Sequence, residues 1–305
     1  MSLLVVGSIA FDTVSVGKET HQNLLGGSAT YFSLAASYFS EVSMVGVVGE
    51  DFGEDNLDYL RNHGINTDNI LMEKGKTFRW TGKYERDQIN EAVTLNTELN
   101  VFANFKPNLN FKDHYYSGIF LANIDPTLQI RILDKFKTPN KLLIGFDTMN
   151  HWIKESMDNV THVIKKSNIV IINEQEAIMI TKNNNIPAAL EKITNMGVQT
   201  VIVKLGSYGI IGSHKGNKFF LPAFPIQKVV DPTGAGDSFA GGFMGYLSKQ
   251  TKKQTITELM IRQACVWGTV CASFCIQGFG TKKLGNLNQK FLEKRKTTLL
   301  ELTQV

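Results

Sequence analysis

Six short, mainly apolar runs constrain this chain's fold more than any other feature: Leu3 to Val6, Val42 to Val48, Tyr116 to Leu121, Leu142 to Phe146, Ile169 to Ile172 and Val201 to Val203. Their apolar residues do not alternate with polar ones, the pattern of strands covered on both faces and hence of a parallel sheet. Segments with helical spacing lie between them: Tyr31 to Phe39, Phe52 to Asn62, Thr127 to Phe136 and Pro187 to Met196. Gly64 and Gly197 stand where a helix end takes a left-handed residue, and Pro187 suits a first helical turn. The alternation predicts an α/β fold with a doubly wound, mainly parallel sheet. At 305 residues, 43% of them hydrophobic, the chain has material for one large domain with a smaller accessory piece.

One region breaks the alternation. In TFRWTGKYE, Thr77 to Glu85, an extended chain places Phe78, Trp80 and Tyr84 on one side and Thr77, Arg79, Thr81, Lys83 and Glu85 on the other. A second extended stretch runs from Ala92 to Val101, and Phe11 to Val16 offers a further strand. An inserted antiparallel hairpin is expected, either as a lid built from about residues 11–25 and 76–104 or as an ordinary edge hairpin. The aromatic stripe has three readings: stacking on a base, packing on a sugar, or sealing a homodimer through the lid.

The net charge of +4 comes from scattered Lys and Arg, with no basic stripe interleaved with base readers, so nucleic acid is not an expected partner. No run of 18 apolar residues predicts a membrane span, and MSLLVVGSIAFDT lacks the basic and apolar regions of a leader, so a cytoplasmic location is expected. Cys265, Cys271 and Cys275 share one apolar segment without CxxC spacing and read as core thiols.

The most informative segment is VVDPTGAGDSFAGGFMGYL, Val229 to Leu247. Ala240, Phe243, Met244 and Leu247 fall on one helical face, which starts a helix near Asp237. Directly before it Gly234, Ala235 and Gly236 let a ligand approach the main chain, and amides at a helix N-terminus favour an anion. A carboxylate at that mouth can take the proton of an attacking hydroxyl while the amides stabilise a phosphoryl group. The plain alternative is a tight turn with Asp231 or Thr233 as a cap.

The segment DPTGAGDSFAGGFM resembles the C-terminal signature of the PfkB, or ribokinase-like, family of carbohydrate and nucleoside kinases. VVGSIAFDT, LLGGSATY, NEQE and KLGSYG resemble further family segments in the expected order. The resemblance implies a single kinase domain over residues 1–305, ATP and Mg2+ as cofactors, and a sugar or nucleoside as partner. Asp237 would be the base and Gly234, Ala235 and Gly236 the anion hole. Asp12, Gly26, Gly27, Ser28 and Tyr31 would meet the acceptor, with Arg79, Trp80 and Asn123 completing the group. Tyr31 stands at or near a place where the family often has asparagine. Asn173, Lys204, Gly206, Ser207 and Gly209 would serve the nucleotide and Glu176 the metal, although Asn173 and Glu176 also fit a capping box. Some members use potassium held by carbonyls of the late loop and the Asp231-to-Thr233 turn, so K+ is a further cofactor that the resemblance allows.

No GxxxxGK[ST] is present, and Phe239 stands where GxGxxG needs its third glycine, which argues against P-loop and dinucleotide-binding readings. The expected activity is phosphorylation of a sugar hydroxyl. A nucleoside kinase of the same fold and a non-catalytic sugar or nucleotide sensor are the alternatives.

Overall fold

The computed structural model describes residues 2–90, 92–107, 116–136, 142–251 and 255–304. From the N-terminus, β1 (Ser2–Val6) leads into β2 (Ala10–Val16) and β3 (Glu19–Gly26), followed by α1 (Ser28–Ser37), β4 (Val42–Gly49), α2 (Glu54–Asn62) and β5 (Ile65–Glu73). Next come β6 (Phe78–Tyr84), β7 (Val93–Glu98), β8 (Tyr116–Leu121), α3 (Pro126–Leu133), β9 (Leu143–Phe146), α4 (Asn150–Glu155) and α5 (Met157–Lys166). The chain continues through β10 (Ile169–Asn173), α6 (Glu174–Thr181), α7 (Ile186–Thr194), β11 (Thr200–Lys204), β12 (Ile210–His214) and β13 (Asn217–Leu221). It closes with α8 (Ala235–Thr251), α9 (Glu258–Cys275), α10 (Lys282–Gly285) and α11 (Gln289–Thr303).

All six apolar runs are strands of one nine-stranded sheet, ordered β13-β12-β11-β10-β9-β8-β1-β4-β5. It is parallel from β11 to β5, while β12 and β13 run antiparallel at one edge. Strand β1 shows why its residues do not alternate in polarity. Leu3 and Val5 join a core with α1, α8 and α9, whereas Leu4 and Val6 join a second core with α3, α5 and α7. Helices thus cover both faces, as a doubly wound sheet requires. Three further strands, β5, β12 and β13, escape a search for apolar runs, because they lie at or near the edges and carry polar residues such as Asn66, Asp68 and Lys218.

A second, four-stranded sheet has the order β3-β2-β6-β7. The predicted hairpin is present as antiparallel β6 and β7, and β2 adds to it in parallel with Asp12 opposite Trp80 and Phe11 opposite Arg79. Strand β3 is largely exposed and polar, which hid it from the sequence reading. Helix α1 begins at Ser28, directly after the glycine pair and three residues before the predicted Tyr31. The three cysteines are free and buried. Among the described residues no helix is long and apolar enough to cross a membrane.

Candidate active site

The C-terminal ends of parallel strands gather the polar residues, as expected for an open α/β sheet. Helix α8 starts at Ala235, two residues earlier than its apolar spacing suggests, so Asp237 lies inside the first turn. Gly234 has φ 74°, a left-handed conformation that disfavours a side chain, and a Cβ there would overlap the Tyr31 ring. The turn is closed by the Ser238 N–H donating to the Gly234 carbonyl at 2.8 Å. Loss of solvent, with repulsion from Asp147, pushes the Asp237 carboxyl up to about 7, although Lys204 pulls the other way.

Asp12 approaches the same region from β2. It is buried, and burial together with Asp231 and Asp237 pushes its carboxyl up to about 8. The glycine pair is a steric requirement: a Cβ on Gly26 would overlap the Asp12 carboxylate, and one on Gly27, at φ 92°, would overlap the Ser8 carbonyl. Tyr31 is fully buried and its hydroxyl has no hydrogen-bond partner. Burial raises that phenol's proton affinity first, and Asp12 is its strongest charged neighbour. An orphaned hydroxyl facing a carboxylate is unusual in a native interior and marks a place for a polar ligand.

The other expected acceptor residues divide. The Ser28 hydroxyl accepts from the Ser8 N–H at 3.2 Å and donates to the Asn123 carbonyl at 3.3 Å, tying the start of α1 to the ends of β1 and β8. The Asn123 side chain accepts from Trp152 Nε1 at 3.1 Å. Trp80 lies on the Asp12 side of the small sheet, but its indole covers Gly82 and donates to Thr94 Oγ1 at 3.1 Å. Arg79 is not brought to Asp12. The alternation of β6 turns it to the opposite face, where it binds Asp51 at 2.9 Å and Asn23 at 2.6 Å and lies 5.2 Å from the Phe11 ring centre. The expected role for Arg79 at the acceptor is corrected accordingly.

Of the residues expected at the nucleotide, Asn173 and Glu176 form a complete capping box: Asn173 N–H donates to Glu176 Oε2 at 2.8 Å and Glu176 N–H to Asn173 Oδ1 at 2.9 Å. The Asn173 amide also donates to Glu176 Oε1 at 2.7 Å. Burial and then Asp147 push the Glu176 carboxyl up to about 8. Lys204 pairs with Asp147 at 3.6 Å, and its Nζ stands 2.8 Å from where a Cβ on Gly236 would lie. Gly206 and Gly209, at φ 58° and 100°, shape the exposed turn that contains Ser207. Asn90, in the loop between β6 and β7, reaches this turn, 2.9 Å from a Cβ built on Gly206.

Sequence reasoning missed Asp147, and it read Tyr84 as part of the aromatic stripe without its link to Thr233. Tyr84 accepts a hydrogen bond from Thr233 Oγ1 at 3.2 Å, joining the small sheet to the DPTGAGD turn. For Asp147 the available signal was an acid immediately after a buried apolar run. Among the described residues no three His, Cys, Asp or Glu side chains form a protein-only metal cage. Asp147, Glu176 and Asp237 nevertheless outnumber the one lysine among them. Their carboxylate oxygens suit Mg2+ that keeps its waters and binds chiefly through phosphate.

Comparison with known proteins bears out the fold and the family. A cytidine kinase from Thermococcus kodakarensis is 25% identical over 270 residues, covering 87% of this chain and 95% of the relative. A ribokinase from Lactococcus lactis is 28% identical over 314 residues, covering 95% and 96%. The solved nucleoside kinase of Methanocaldococcus jannaschii superimposes with a TM-score of 0.75 at 22% identity, covering 98% of this chain and 99% of that one. The model of the pfkB family of carbohydrate kinases matches residues 2–286, and the chain therefore belongs to that family of phosphotransferases, which act on hydroxyl groups of sugars or nucleosides.

Proposed function

We propose that this chain moves the γ-phosphoryl group of ATP onto a hydroxyl of a small sugar, with Asp237 as general base. One observation carries the reading: Asp12 from the small sheet and Asp237 from helix α8 come close enough for Asp237 to raise the Asp12 carboxyl's proton affinity, with the unpartnered Tyr31 hydroxyl and the Gly234 turn beside them. Asp12 would accept two neighbouring acceptor hydroxyls and Tyr31 would meet a third polar group. Asp237 would take the proton of the attacking oxygen, while amides from Gly234 to Gly236 stabilise charge on the phosphoryl oxygens. Mg2+, organised from the Asn173 and Glu176 side, would neutralise charge on the phosphates when bound.

The small sheet acts as a lid in this reading. It touches the turn at Gly206 through Asn90, the turn at Thr233 through Tyr84, and the late loop through His21 stacked 3.9 Å from Phe279. Closure there would exclude water and limit ATP hydrolysis. The late loop and the Asp231 turn are joined by Val230 N–H to Ile276 O at 2.8 Å and Gly280 N–H to Asp231 Oδ2 at 3.2 Å, the adjacency that a K+ site shared by their carbonyls would need.

A sugar is favoured over a nucleoside because the lid aromatics are already engaged. Phe78 packs on Phe102 at 5.5 Å, Trp80 covers Gly82, and Tyr84 bonds Thr233. Similarity to a cytidine kinase supports the nucleoside reading as second choice. ADP release across a panel of sugars and nucleosides distinguishes them: turnover of nucleosides alone, with every sugar inactive, would reverse the preference.

A further inference from the structure

Three carboxylates and one ammonium meet at the ends of β9, β10 and β11, and this arrangement exceeds what a base and an anion turn require. The strands are adjacent and parallel, with Asn173 opposite Lys204 in register. Asp147 follows β9, Glu176 follows β10, Lys204 ends β11, and Asp237 faces them from α8. A lysine in such company has three acids to choose from.

Resting on the kinase reading, we propose that Asp147 is a positioning residue. It holds the Lys204 ammonium over the Gly234-to-Gly236 turn, where Lys204 contacts the phosphoryl group in transfer, and it keeps that ammonium off Asp237.

Asp147 is itself well fixed. Its Oδ1 accepts from the Thr148 N–H at 2.8 Å and its backbone carbonyl accepts from Gln129 Nε2 at 3.2 Å. This leaves Oδ2 for Lys204, and the two side chains are only 7% and 17% exposed, so solvent does little to screen the pair. The separation of 3.6 Å is an ion pair rather than a close hydrogen bond, which leaves ammonium protons for a ligand. Gly236 is the residue that makes room, because Nζ occupies the space a side chain there would need. The pairing with Asp147 thus carries the Lys204 ammonium to the turn, beside the backbone of Gly236. Without Asp147 the remaining acids include Asp237, and an ion pair there would withdraw the base from the acceptor.

The test combines Asp147→Asn, Lys204→Met and the double variant, all checked for folding by thermal melting. Lys204→Met should lower kcat about 10²-fold and weaken binding of a non-hydrolysable ATP analogue with Mg2+ about tenfold, with ADP affinity changed less than about threefold. Asp147→Asn should lower kcat at least about tenfold with a smaller change in KM for ATP. Because Asp147 acts through Lys204, the double variant should be no slower than Lys204→Met alone. A kcat for Asp147→Asn within about twofold of wild type, or losses that multiply in the double variant, would overturn the proposal. If Asp147→Asn does not fold, the ratio of analogue to ADP affinity in Lys204→Met decides, and an unchanged ratio is the overturning result. That ratio needs no acceptor, so failure of every sugar and nucleoside to be phosphorylated defeats the kinase reading separately.

Discussion

The ring of Tyr31 lies against Gly234, leaving no room for a side chain at the residue just before α8. In the proposed reading the acceptor side of the site, entered from α1, would thus be in direct contact with the phosphoryl side, entered from α8. Movement of either element is felt by the other.

Gly234→Ala is expected to be damaged twice, by the φ of 74° and by overlap with Tyr31. The cost should be about 1–3 kcal/mol of stability, with loss of most activity. Chemical denaturation and kcat check it, and adding Tyr31→Ala should return part of the stability but not the activity.

Tyr31→Phe separates ring from hydroxyl. Because the hydroxyl has no protein partner, its removal should leave stability unchanged or raise it by up to about 1 kcal/mol. KM for the acceptor should rise about tenfold, as for one lost hydrogen bond. A clear stability loss with unchanged acceptor KM would mean that the hydroxyl serves the fold.

Asp237→Asn should reduce kcat about 10²- to 10⁴-fold while ADP and acceptor still bind, as for loss of a base. Steady-state rates and calorimetry on the same preparation give both quantities.

Stability should depend on pH through Asp12. Its carboxyl moves from the ordinary 3.8 to about 8 on folding. Between these values the folded chain holds a proton that the unfolded chain has released, so stability falls as pH rises from about 4 to about 8 and is level beyond. Asp12→Asn removes that contribution. Melting temperatures of ligand-free wild type should decline more steeply over this range than those of the variant, and parallel curves would show that Asp12 does not titrate as described.

Much of the architecture is local in origin and was therefore legible. Unbroken apolar runs such as Ile169 to Ile172 become strands buried on both faces because nothing in them tolerates water. The spacing from Ala240 to Leu247 fixes a helix, although Ala235 and Gly236, read as a turn before it, belong to its first turn together with Asp237. The hairpin of β6 and β7 followed from alternation alone. Edge strands β3 and β13 were not legible, since they carry too many polar residues for burial to show as a run, and buried β12 was missed because its apolar stretch, Ile210 and Ile211, is too short.

What only the tertiary structure decided is which of these local pieces meet. Asp147 and Lys204 are 57 positions apart and pair because β9, β10 and β11 are neighbours, a matter of strand order that no short pattern encodes. Alternation placed Arg79 and Trp80 on opposite faces of β6, but only the packing of the small sheet decided that the Trp80 face turns toward Asp237 and the Arg79 face toward Asp51. Chain periodicity sets which residues share a face, and the choice of what that face buries belongs to contacts between distant segments.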